Sequence, residues 1–116
     1  MRVLVCGGRD YGDVQTLDET LWELDATRGP IKVVIHGNAK GADYWARTWA
    51  RENDRLEAPF RADWYTHGKA AGPIRNQRMI DEGKPDLIVA FPGGRGTADM
   101  VRRAKAAGLE VIEVGA

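Results

Sequence analysis

Five short apolar runs divide the chain, at 2–6 (RVLVC), 31–36 (IKVVIH), 56–60 (LEAPF), 86–91 (DLIVAF) and 110–114 (EVIEV). Most are near-continuous and do not alternate with polar residues, which predicts strands buried on both faces. The third run is the weakest. Its Pro59 has no N–H to give to a ladder, and this predicts an edge strand. Between the runs the spacing becomes helical. Val14, Leu17, Leu21 and Leu24 share one face, with Trp22 beside them. Ala42, Trp45, Ala46, Trp49 and Ala50 make a full i, i+3, i+4, i+7, i+8 stripe. Pro73 suits the first turn of a third helix running to about residue 82, where Gly83 and Pro85 end it. A fourth helix covers 97–107, with Gly108 as its C-terminal cap. Strand and helix in regular alternation predict a parallel sheet covered by helices on both sides. The expected fold is a Rossmann-like three-layer α/β sandwich, one domain over 1–116 with a mostly parallel sheet of about five strands.

In such folds ligands bind beyond the carboxyl ends of the strands. The unusual residues collect there: GGRDYGD after the first run, HGNAKGAD at the end of the second, RADWYTHGKAAGPIRN after the third and PGGRGTAD after the fourth. The opposite connections, TRGP and EGKP, are ordinary turns. This asymmetry predicts a functional site on one edge of the sheet.

Composition narrows what the site serves. The chain's 116 residues suffice for one domain, and a hydrophobic fraction of 43% supports a core. Lys and Arg number 17, as do Asp and Glu, so the net charge is zero. That balance argues against long nucleic acid as the main partner, although Arg75, Arg78, Arg102, Arg103 and Lys105 cluster in sequence. The single cysteine, Cys6, forms no internal disulfide, fits a reducing compartment and is expected to be a buried structural thiol. The first apolar run is too short for a leader peptide, and no run approaches the ~20 residues of a membrane span. A cytoplasmic location is expected. Two distant histidines and one cysteine give no metal-ligand spacing, and no G-x-S-x-G elbow is present. No cofactor is called for.

The glycines carry the chemistry. Gly93, Gly94 and Gly96 let backbone N–H groups form a concave anion site. The following helix adds its positive dipole end. Thr97 either caps that helix or meets a phosphate oxygen, and Arg95 either adds a charged fork or points to solvent. The loop lacks the Gly-Lys-Ser/Thr ending of a Walker A motif. It also lacks the third glycine of the dinucleotide fingerprint and lies in the last strand–helix–strand unit, against a standard NAD dehydrogenase. Gly37 and Gly41 open the second loop, where His36 ends a strand as either a cleft residue or a satisfied structural one. Lys40 is a phosphate candidate. Asp43 either favours its helix start or meets a ribose hydroxyl. Gly7 and Gly8 let another group approach the first strand, while Arg9 and Asp10 pair with each other or with ligand. Tyr11 offers a stacking face or packs on its own loop. Arg75 stands near the sheet edge as a phosphate or carboxylate partner, beside Asn76, and shares a helix face with Met79 and Glu82. His67 and Lys69 lie in a long loop able to close over a ligand.

Together GGRDY, HGNAKGAD, HGKAAGPIRNQRM and AFPGGRGTADM resemble the YspA/YpsA-related branch of the SLOG superfamily over nearly the whole chain. The resemblance implies binding of a nucleotide or nucleotide-derived molecule, in proteins often met in phage, mobile-element and defence settings. The superfamily also holds the LOG phosphoribohydrolases, which activate cytokinins, and DprA-type DNA-binding proteins. LOG enzymes use an arginine-bearing helix and a PGGxGTxxE loop. Arg75 with Met79 matches the helix, and Pro92, Gly93, Gly94, Gly96 and Thr97 match the loop. The LOG glutamate falls at Met100, whose thioether neither ionises nor activates water. Asp99 lies one residue away, about 100° around the helix, and replaces the glutamate only in a shifted register. Arg75 and Asp99 are the catalytic candidates. A sensor or sequestering module is the leading expectation. The alternatives are an N-glycosidic hydrolase using Asp99, Asp10, Asp43 or His67, and DprA-like DNA binding. LOG relatives are dimers, and Trp22, Trp45, Trp49 and Trp64 offer apolar surface to cover, so a homodimer is expected.

Overall fold

Alternating strand and helix patterns become, in the computed structural model, an all-parallel sheet with helices on both sides; residues 1–115 are described. The strands are β1 (Arg2–Cys6), β2 (Val33–His36), β3 (Leu56–Pro59), β4 (Leu87–Ala90) and β5 (Val111–Glu113). The helices are α1 (Val14–Thr27), α2 (Ala42–Glu52), α3 (Trp64–His67), α4 (Ala71–Asp81) and α5 (Arg95–Ala106), with a 3-10 turn at Gly68–Ala70 between α3 and α4. The strand order is β3-β2-β1-β4-β5. In the central ladders Val3 pairs with Val34 and Leu87, and Leu4 with Ile35 and Ile88. This is the Rossmann-like sandwich expected from the sequence.

Side chains alternate across each strand, so the sheet feeds two cores. Val3, Val5, Val34, Leu87 and Val89 meet Leu17, Leu21 and Leu24 of α1 and Ala46 and Trp49 of α2. Leu4, Cys6, Ile35, Ile88 and Ala90 meet Met79 and Ile80 of α4 and Met100 and Ala104 of α5. Both faces are covered, which is why the runs lack polar alternation. Full burial of each such aliphatic side chain is worth about 1.5–3 kcal/mol. β3 is an edge, as Pro59 predicts, and its Leu56 is exposed. Cys6 is buried as expected, and burial pushes its thiol up to about 12, so it stays protonated at neutral pH.

The tryptophans divide. Trp49 is buried and Trp22 stands edge-on against it, half exposed, with ring centroids 5.1 Å apart. The Arg55 guanidinium stacks on both rings, at 5.6 and 5.1 Å, donates to the Ile31 carbonyl at 2.9 Å and pairs with Asp25. This clamp closes the edge of the sheet away from the glycine loops. Trp45 packs partly buried against the first core, and Trp64 is half exposed at the opposite edge.

Two differences from the expected elements bear on the loops. α5 starts at Arg95, two residues earlier than predicted, so Gly96 lies in its first turn and Gly94, not Thr97, is the N-cap. A glycine is tolerated in a first turn because its N–H needs no intrahelical partner. The loop after β3 contains the helical turn α3, capped by Asp63, which accepts from the Thr66 N–H at 3.0 Å. No helix among the described residues is long and apolar enough to cross a membrane.

Candidate functional site

A cleft of about 790 Å³ opens over the carboxyl ends of β1 and β4, where the connections diverge to opposite sides of the sheet. Its floor is Val5 and Cys6, and its walls come from the glycine loops, α3, α4 and the start of α5. The volume falls within the usual range for small-molecule sites, roughly 300–1,000 Å³.

The glycines perform two different tasks. Most let the loops touch one another. A Cβ on Gly7 would lie 2.6 Å from the Ala42 Cβ, and one on Gly93 would lie 2.2 Å from the Thr97 Oγ1. Gly8 donates to the Pro92 carbonyl at 2.9 Å and accepts from the Ala42 N–H at 3.2 Å, tying three loops together. Gly41 has φ of +73°, and a Cβ there would come 2.1 Å from the Gly8 carbonyl oxygen. Gly94 and Gly96 are different. A Cβ on either would have no neighbour within 4 Å. Nothing in the chain requires these two to be glycine, and both line the cleft. They leave the start of α5 bare, and no side chain caps that helix. Its first-turn N–H groups have no intrahelical partner and carry the positive end of the helix dipole.

Charge in the cleft is uneven although the chain is neutral. Arg9, Lys69, Arg75, Arg95 and Arg102 line it against two carboxylates, Asp43 and Asp99. Both carboxylates are occupied. Asp43 accepts from the N–H groups of Gly37 at 3.0 Å and Ala39 at 3.3 Å. Burial pushes its carboxyl above the ordinary aspartate value, against the opposing charges of Arg75 and His36. Asp99 accepts from Asn76 Nδ2 at 3.0 Å and Arg103 Nε at 2.8 Å, and also pairs with Arg102. Burial works against its charge, but the hydrogen bonds from Arg103 and Asn76 outweigh it and hold the carboxyl below the usual value. Arg75 Nη1 donates to the Gly37 carbonyl at 2.7 Å and its Nε to Asn76 Oδ1 at 3.0 Å. Burial, with the nearby Arg9 charge, lowers its pKa against the pull of Asp43. One network thus crosses the cleft from β2 to α5.

The depressed carboxyls set an acid limit. Asp99, Asp25 and Glu57 hold their protons less readily in the fold than in the unfolded chain. Their stabilisation is complete above the ordinary carboxylate pKa of about 4 and is lost as the pH falls through the lowered folded values. Asp43 and Asp18, shifted upward, have the opposite sign but are outnumbered. Thermal melts are expected to show a lower midpoint at pH 3 than at pH 5; equal midpoints would contradict the ion-pair assignments.

The structure brings together in the cleft Gly7, Gly8, Arg9, Gly37, Asp43, Arg75, Asn76, Gly94, Arg95, Gly96 and Thr97, with Met79, Asp99 and Lys69. Others fall outside it. His36 is fully buried; its Nδ1 accepts from the Asn38 N–H at 3.1 Å, which leaves Nε2–H to face Glu57 Oε1 at 2.9 Å. Both of its ring nitrogens thus have partners within the chain. Lys40 is exposed and does not line the cleft, nor does Glu82, which pairs with Arg78. Gly41 serves loop packing, and Pro92 and Gly93 line a neighbouring groove. Tyr11 packs on Phe91, with ring centroids 5.2 Å apart. Met100 is buried in the core, and its neighbour Asp99 lines the cleft from α5 together with Arg95, Thr97, Ala98 and Arg102. The sequence reading missed Trp64 as a site residue. Its indole lines the cleft beside Gly72, and the Arg9 guanidinium lies 5.9 Å from its ring centroid. The Asp63 cap before an aromatic pair was the available signal. Among the described residues no three His, Cys, Asp or Glu side chains gather as a metal site.

Comparison with known proteins adds ancestry. A profile of the YspA, cpYpsA-related SLOG family matches residues 1–67, from β1 through α3. The Gene 61 protein of Mycobacterium phage D29 is 42% identical over 122 residues, covering 98% of this chain and 96% of that protein. DNA processing protein A (DprA) from Streptococcus pneumoniae superposes with a TM-score of 0.79 at 18% identity, over 99% of this chain and 50% of DprA; this chain spans half the length of that protein. The Moco carrier protein from Chlamydomonas reinhardtii superposes with a TM-score of 0.60 at 18% identity, over 98% of this chain and 76% of the carrier. At these identities the two structures share the fold.

Proposed function

The chain belongs to the YspA, cpYpsA-related SLOG family, and from that premise we propose that it binds a nucleotide or nucleotide-derived small molecule and holds it without cleaving it. The observation that carries this is the bare start of α5: Gly94 and Gly96 clear space that no other part of the chain fills, over N–H groups that no side chain caps. A phosphate there meets unpaired donors and the helix dipole, with Arg95 and Thr97 beside it. The cationic lining favours an anion, and Trp64 gives a base a face to stack on. Holding is favoured over cleaving because both carboxylates of the cleft are already bound to donors of the chain. In the resemblance to LOG enzymes the glutamate falls at Met100, which is buried in the core.

Calorimetric titration with AMP, followed by chromatography of the mixture, tests this. AMP is expected to bind and to be recovered intact. Trp64→Ala is expected to weaken it about tenfold, the size of one base–aromatic stack of roughly 1–3 kcal/mol. Release of free adenine, abolished by Arg75→Ala, would replace holding with hydrolysis. An unchanged affinity in Trp64→Ala would move the base elsewhere.

A further inference from the structure

Two cavities meet at the start of α5. On the far side of the 92–94 loop from the cleft, a groove of about 520 Å³ opens beside the ends of β4 and β5. Pro92, Val101 and Val114 give it apolar walls. Lys105 and Glu113 also line it, paired at 3.2 Å. Gly94, Thr97, Ala98 and Arg102 line both cavities. The first two turns of α5 are therefore a shared wall, and Gly94 sets no side chain between the two spaces.

A phosphate ending a molecule needs room on one side only. A phosphate seated on this wall has room on both. We propose that the ligand is a phosphate-bridged nucleotide, with its nucleoside in the cleft, an internal phosphate over the start of α5 and a second sugar or nucleoside in the groove beside Val101 and Val114. The apolar walls suit the flat face of that second group, and Lys105 and Glu113 suit its hydroxyls. Arg102 lines both cavities and keeps guanidinium donors beyond its pairing with Asp99, which are available to a phosphate between them. The inference rests on the nucleotide reading of the cleft.

The test compares AMP with two bridged probes, the dinucleoside monophosphate ApA and ADP-ribose, by calorimetry on the whole chain. At least one bridged probe is expected to bind about tenfold tighter than AMP, a gain of roughly 1.4 kcal/mol. Val101→Trp fills the groove and is expected to erase that gain while leaving AMP affinity within about twofold. Lys105→Trp, at an exposed position, gives the same readout should Val101→Trp fail to fold, as followed by circular dichroism. ApA ahead of ADP-ribose assigns a single bridging phosphate, and the reverse assigns a diphosphate. Bridged probes no tighter than AMP, or a gain that survives both tryptophan variants, would overturn the proposal and leave nucleotide binding standing. Failure of all three probes, AMP included, would remove both.

Discussion

Gly94→Val is expected to fold like the parent and to lose AMP binding by more than a hundredfold. A Cβ at this position meets no atom of the chain within 4 Å, so the added side chain starts in open space. It replaces an N-cap glycine, which costs about 1 kcal/mol of helix stability at most. What it does is stand over the first-turn N–H groups of α5, in the space assigned to phosphate. A phosphate displaced by even a few ångströms loses hydrogen bonds to charged acceptors worth about 1.5–3 kcal/mol each. The measurement pairs an AMP titration with a thermal melt. Parental affinity in a folded Gly94→Val would remove the phosphate from α5.

The same substitution at Gly41 is expected to give the reverse. Gly41→Val should unfold the domain, with a loss above about 4 kcal/mol. The backbone there has φ of +73°, a conformation that a β-branched residue resists, and its Cβ would lie 2.1 Å from the Gly8 carbonyl and 2.6 Å from Arg9 backbone atoms. Those atoms belong to the loop leaving the central strand, so they cannot swing aside as a side chain does. Moving them would break the bond from the Ala42 N–H to Gly8 and lift α2, whose Ala46, Trp49 and Ala50 fill the first core. Soluble expression and a urea titration decide it. A Gly41→Val protein that melts within a few degrees of the parent would show that the loops tolerate separation.

Why one glycine is structural and its neighbour free was not legible in sequence, where each reads as backbone freedom. The strands were legible because burial on both faces leaves near-continuous apolar runs, and the crowding of glycine at one sheet edge marked the cleft. His36 could not be placed, because a residue ending a strand has two faces to choose from. The pleat puts it on the side of Val34, where Glu57 from β3 meets it. Trp64 escaped because α3 is one turn long, too short for any periodicity to show. Asp99 and Met100 were assigned by motif position. Packing against β4 decided which of them faced the core, and it chose the thioether, since a carboxylate there would be buried without partners.

The strand order has a consequence for biosynthesis. β1 is made before the other strands, yet it is the middle of the sheet, and its neighbour β4 is made only after β2 and β3. The N–H of Arg2 bonds to the Asp86 carboxylate 84 positions later, and Leu4 must wait for Ile88. Until then the emerging polypeptide carries an open strand edge and a bare apolar face at its centre. Such long-range parallel pairing raises contact order and slows folding. It also leaves the nascent chain exposed to joining another copy edge to edge. The first 67 residues, which the family profile matches, hold β1 without its β4 neighbour, and so do not close their own sheet.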